Sequence, residues 1–316
     1  MTALLSLLLL GLLLATLAPG RLARARWPER EPVLALLAWQ SLVIAVLLCC
    51  VFGLLLACAA ALPALRNLVF DGAPTGVEEA YGLAGSEGWG RLVATLLALG
   101  GVQTAVALAR EIRAARALRG ARHAQLDDRA PRLPSELTPD KHSGERLVVL
   151  ESIRAEAWSL PGPEARLVVT TGAIQQLGDR GLAAVLSHER SHVRARHHWL
   201  AQCAEALATG FPGVGVFSAF RDQVGELVEL AADDRAARRH GRVTTALALV
   251  EINTGRGVFG ACLPQHAAQA PRRVDRLLLG EPRLPVHHRL RLTLAALAAP
   301  GAAVLLLLAP GLGTLV

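Results

Sequence analysis

Three stretches of this chain run long enough without charge to cross a bilayer as helices: residues 2–18, 33–62 and 292–316. A helix needs about 20 apolar residues to span the hydrocarbon. A fourth stretch, 92–109, is shorter and equally uncharged. Hydrophobic residues make up 53% of the chain and charged ones 19%, against about a quarter charged in soluble domains. Nearly all of that charge lies between the apolar blocks. The chain reads as a multi-pass α-helical membrane protein with one polar unit. Its parts are a membrane region, 1–110, with spans at about 2–18, 33–62 and 92–109; a polar domain, 111–291; and a final span, 292–316.

Arginine placement predicts the orientation. No basic residue precedes the first span, and Arg21, Arg24, Arg26 and Arg30 follow it. That is the reverse of a secretory leader, so the span reads as a retained anchor. Arg110, Arg113, Arg116, Arg119 and Arg122 follow the third span, whereas the loop before it carries Asp71, Glu78, Glu79 and Glu87. Positive-inside bias places the arginine clusters in the cytoplasm, the N-terminus outside and residues 111–291 in the cytoplasm of a cell-membrane protein. The net charge of +7 is accounted for by these flanks. With no basic stripe interleaved with aromatics, nucleic acid is excluded as a partner and the lipid bilayer is implied as one. Cys49, Cys50, Cys58, Cys203 and Cys262 show neither metal spacing nor a disulfide framework. Residues 206–220 are uncharged but too short to cross, with a break at Pro212; they read as an interfacial or re-entrant segment.

Within the polar part, residues 147–150 and 166–171 read as short strands, the second β-branched and closed by Gly172. Pro161-Gly162 between them marks a turn. Asp179 suits a helix N-cap, and Leu182, Val185, Leu186 and Val193 then recur near helical spacing. That helix contains His188-Glu189-Arg190-Ser191-His192. Side chains at i and i+4 stand about 5–6 Å apart at Cβ, so both imidazoles reach one Zn2+. Glu189 points partly around the helix and overhangs an open coordination position, where it can take a proton from a bound water.

Two sources of a third ligand compete. His198 falls where H-E-x-x-H-x-x-G-x-x-H places its last histidine, but Ala195 stands at the glycine position, and Met1 is the only methionine, so no Met-turn exists. A continuing helix would rotate His198 away from His192. His197 and His198 are therefore expected to face the interface or solvent. Alternatively, Glu229 and Asp233, four apart as E-x-x-A-D with Ala232 between, share one helix face. Glu229 would bind zinc and Asp233 would fix a ligating histidine's tautomer. Glu226, one turn earlier, is the competing carboxylate.

Together these residues resemble the membrane zinc metallopeptidases of the HtpX and CAAX-prenyl-protease type, and the related BlaR/MecR sensor peptidases. The resemblance covers about 147–278: Leu160-Pro161-Gly162, Val168-Val169-Thr170-Thr171-Gly172, His188-Glu189 to His192, Glu229 to Asp233, and Arg273-Val274 to Leu277. It implies a mainly α, α+β zincin-like (gluzincin) peptidase domain. His188, His192 and Glu229 would be ligands and Glu189 the general base. Val168, Val169, Thr170 and Thr171 would lie on an edge strand, 167–171, that pairs with an extended peptide or protein substrate. Three spans before the domain and one after it look more like the BlaR/MecR side, without that group's external sensor domain. The implied activity is a metalloendopeptidase, with repressor cleavage as a regulatory version. The alternatives are a membrane-protein quality-control protease and a non-enzymatic signal transducer retaining the fold. His240, His266 and Arg273 are the candidate transition-state donors.

Overall fold

A computed structural model describes residues 2–74, 76–83, 87–129, 145–160, 165–254, 264–280 and 282–314. Four of its helices are long and apolar enough to cross a membrane: α1 (Thr2–Ala23), α2 (Pro32–Ala61), α5 (Glu87–Arg129) and α11 (Val286–Leu312). Two shorter helices, α3 (Pro63–Phe70) and α4 (Val77–Tyr81), lie between the second and third of these. The α2 helix occupies the centre, packing against α1, α5 and α11, and half of its most apolar window is buried. Small residues permit the close approach. A Cβ at Gly11 would lie 3.0 Å from Cys49 Cβ, and one at Gly90 would lie 2.9 Å from Ala60 Cβ. The α5 helix continues well past the expected span end at 109, because its Ala- and Arg-rich continuation is made of strong helix formers.

The remaining elements are β1 (Glu145–Leu150), β2 (Ala157–Leu160), β3 (Ala165–Thr170), α6 (Thr171–Arg194), α7 (His197–Gly210), α8 (Gly215–His240), α9 (Arg242–Thr254) and α10 (Pro264–Leu279). The chain is thus mostly helical with one small sheet, as the sequence pattern implies. The Pro161-Gly162 turn falls outside the described residues.

The sheet order is β1-β3-β2, with β1 parallel and β2 antiparallel to β3. This overturns the edge assignment of 167–171. The β3 strand is central, and its side chains alternate between two cores: Val168 packs with Leu126, Val148 and Leu160, and Val169 with Ala155, Ala173 and Val185. The two valines are 0% and 1% exposed. Thr170 Oγ1 donates to Arg154 O at 2.6 Å and accepts from Glu156 N at 2.9 Å and Ala173 N at 3.2 Å, capping α6. Thr171 Oγ1 donates to Ser152 O at 3.0 Å and accepts from Ser152 N at 3.1 Å. These four residues have their hydrogen-bonding groups and surfaces committed to the fold, leaving none to pair with a peptide. Gly172 follows because a Cβ there would collide with the Ile153 carbonyl.

The α6 helix breaks at Gly178 (φ 59°), one residue before the cap expected at Asp179, and resumes through the His-Glu motif. Residues 206–220 are not one continuous helix: α7 and α8 form a hairpin that turns back at residues 211–214. A Cβ at Gly210 would sit 3.1 Å from Ala107 Cβ, and one at Gly100 would sit 3.6 Å from the Phe211 ring. The turn therefore lies beside the uncharged half of α5. From there α8 runs along α2, burying Val216, Phe217, Phe220, Val224 and Leu227 in one core with Ala35, Trp39, Leu42 and Val46.

Candidate metal centre

The α6 and α8 helices pack face to face and bring three candidate ligands, two imidazoles and one carboxylate, to one point. His188 Nε2 lies 3.1 Å from His192 Nε2. The two Glu229 carboxylate oxygens each lie 3.5 Å from one of those nitrogens. Donors bonded to one tetrahedral zinc at about 2.05 Å stand about 3.3 Å apart, so the triangle has the dimensions of a metal site before any ion is placed in it. His188, His192 and Glu229 could hold a metal ion, and among the described residues theirs is the one such group. Glu226 stands elsewhere, 3.1 Å from Arg272 Nη1.

The supporting contacts are buried. His188 Nδ1 donates to Asp233 Oδ1 at 3.1 Å, and Asp233 is 1% exposed. Arg273, from α10, grips Asp233 with both fork arms, Nε to Oδ2 at 2.8 Å and Nη2 to Oδ1 at 2.7 Å. Its third nitrogen, Nη1, reaches Glu229 Oε2 at 2.9 Å. Planar, bidentate geometry of this kind fixes two carboxylates at once. Arg273, a candidate transition-state donor by sequence, has all three of its nitrogens engaged by Asp233 and Glu229. His240 ends α8 and does not line the cavity, and the His266 side chain lies outside those described.

His197 was expected to face the interface or solvent; instead it is 8% exposed, with Nδ1 3.0 Å from His192 Nδ1. The cause is the chain reversal after α6. Ala195 closes the helix, and Arg196 takes a left-handed conformation (φ 53°) that swings His197 back onto His192. A non-glycine residue in that region is strained by roughly 1–2 kcal/mol. His192 thus turns one nitrogen to the triangle and the other to His197. Replacing His197 with Ala is expected to loosen metal binding by about 10–100-fold while leaving the fold intact. Competition against a chelator of known affinity measures this, and an unchanged dissociation constant would remove His197 from the site.

The local charges separate the titrating groups. Burial opposes the charged form of His188, but hydrogen bonds to Asp233 and Glu229 and their charges overcome it, raising His188 to about 10. Burial lowers His192 to about 4, with Glu229 opposing and the positive His188 and Arg273 assisting. His197 falls to about 4 through burial and His192. Burial works against ionisation of Glu229 and Asp233 too, yet the Arg273 guanidinium and His188 hold both carboxyls below their ordinary values. The two carboxylates are therefore negative and His192 neutral near pH 7. His188 keeps a proton that a metal ion at the same nitrogen would displace.

Glu189 lies beside this triangle and behaves oppositely. Burial and the neighbouring Glu229 raise its carboxyl, while His188 and hydrogen bonds donated by the Ser159 hydroxyl and backbone lower it, with a net upward shift. A carboxylate shifted upward is better matched to accepting a proton near neutrality. Ser159 belongs to β2, which lines the same cavity of about 380 Å³ through Ala157, Trp158 and Ser159. The β2 strand pairs with β3 on one side only among the described residues. The four residues of β2 show too little alternation to signal a strand in the sequence.

Neither the curated proteins nor the solved structures include a match to this sequence. Residues 121–259, however, match the family model of peptidase family M48. That span supplies both histidines, Glu189, Glu229, Asp233, His197 and the β2 edge. The segment that holds the His-Glu helix, the carboxylate helix and the short sheet is thus the one that is similar to peptidase family M48.

Proposed function

We propose that the chain is an integral-membrane zinc metalloendopeptidase that hydrolyses peptide bonds at the cytoplasmic face of the cell membrane. The observation that carries this reading is the tetrahedrally spaced His188, His192 and Glu229 triangle with Glu189 beside it at the β2 edge. Two imidazoles and one carboxylate suit zinc, and three protein ligands leave a coordination position open. A bound zinc would polarise the scissile carbonyl and acidify a water. Glu189, steadied by Ser159, takes the proton of the attacking water and passes it to the leaving amine. Asp233 and His197 orient the two imidazoles, and Arg273 keeps Glu229 ionised and in place. An extended substrate adds to the outer edge of β2, taking the part first assigned to 167–171. A chain segment laid along a strand edge passes the site rather than ending in it, which suits an endopeptidase.

The test is metal content after mild chelator washing. One zinc per chain is expected in the wild type and in Glu226→Ala, and none in Glu229→Ala. Loss in Glu226→Ala alone, or an empty wild type, would overturn the reading. The cytoplasmic placement follows from arginine bias at the ends of α1 and α5. A reporter fused after Arg122 is expected to report from the cytoplasm, and an external signal would move the proteolysis to the other side.

A further inference from the structure

A second cavity, of about 270 Å³, lies where the start of α2 and the approach to α11 meet α8 and α10. It is lined by six arginines, Arg30, Arg238, Arg242, Arg272, Arg276 and Arg283, against three carboxylates, Glu29, Asp234 and Asp275. Arg272 is taken up by Glu29 and Glu226. Arg276 pairs with Asp234 at 2.8 Å and donates to Glu29 O at 2.6 Å. Among the described residues no carboxylate lies within ion-pair distance of Arg238, Arg242 or Arg283. Like charges are thus held around one hollow, to which Arg238, Arg242 and Arg283 are all exposed. Gly280 takes a left-handed conformation (φ 62°) that favours glycine, and the Arg242 guanidinium lies beside it.

The surroundings fix the level of this cavity. Arg30 donates to Pro282 O at 3.0 Å. Glu31, 5% exposed, pairs with Arg289 at 3.4 Å, joining the polar ends of two membrane-length helices. A basic hollow at the ends of membrane helices is where a phosphate group at the headgroup level meets an unneutralised set of guanidinium donors.

We propose that Arg238, Arg242 and Arg283 form a binding site for a phosphate-bearing anion, separate from the metal centre and independent of the peptidase reading. Its occupant is a phosphomonoester or phosphodiester group, either the headgroup of an anionic phospholipid or free phosphate. The experiment uses the full chain in nanodiscs of phosphatidylcholine with and without phosphatidylglycerol, and in phosphatidylcholine alone with inorganic phosphate. Lipid retention is read by native mass spectrometry and phosphate binding by calorimetry. A variant carrying Arg238→Gln, Arg242→Gln and Arg283→Gln is compared with one of equal charge loss on α5, Arg110→Gln, Arg113→Gln and Arg116→Gln.

The wild type and the α5 variant are expected to retain the anion. The cavity variant should bind it on the order of a hundredfold more weakly, from about fivefold for each of the three arginines at a membrane surface. Retention of phosphatidylglycerol assigns the site to a lipid headgroup, and binding of phosphate alone assigns it to a free anion. Equal weakening in both variants, or no binding of either probe, overturns the proposal. An unchanged thermal midpoint of the cavity variant in detergent separates a lost anion site from a lost fold.

Discussion

Glu189→Gln is expected to lower kcat for peptide hydrolysis by about 10²–10⁴-fold, the range typical of a lost general base, while zinc content stays at the wild-type level. Glutamine keeps the length of the side chain and an oxygen that can accept from Ser159, so the cavity wall should not move. It cannot accept and return a proton. Cleavage of a quenched-fluorescent peptide pool by the two purified proteins, each with its metal content measured, provides the comparison. Undiminished hydrolysis by a zinc-loaded Gln variant would sink the assigned mechanism. An unchanged cellular output by the same variant would favour the non-enzymatic transducer.

The second large effect falls on stability. Arg273 is 6% exposed and, with His188, is a cation shared by Asp233 and Glu229. Arg273→Met would leave two buried carboxylates facing each other without it, and removing one partner of such a buried set costs about 3–5 kcal/mol. A large drop in the thermal midpoint of the metal-free protein in detergent is expected, together with weakened zinc binding. Arg272, one residue earlier, has a side chain 63% exposed and pairs with Glu29 and Glu226 at the surface. Its replacement by Met should change stability by about 0–1 kcal/mol. Equal effects at the two positions would contradict the clamp.

The parts of this molecule legible in the sequence were those with a period or a fixed spacing. Uncharged blocks announced four long helices, and His188, His192, Glu229 and Asp233 could be placed on shared faces because i, i+4 spacing is a property of one helix. What escaped depended on tertiary contact. Arg273 meets Asp233 across forty positions of sequence, and no local pattern marks such a pair. His197 reaches His192 through a left-handed Arg196, a conformation for which glycine or asparagine would have been the signal. The β3 strand has the β-branched character of a peptide-binding edge, but the same character suits a buried central strand. Only the pairing of β2 decides between them.

The α7–α8 hairpin has a further consequence. Glu229 and Asp233 stand on the same helix that buries Val216, Phe217 and Phe220 against α2. The membrane helices are therefore a wall of the enzyme rather than a tether for it. A water-soluble fragment made by trimming them away would uncover an aromatic ridge along the carboxylate-bearing helix and free that helix to shift against α6. A shift of α2 would act on the helix that carries the carboxylate, because α8 holds both the α2-facing core and Glu229.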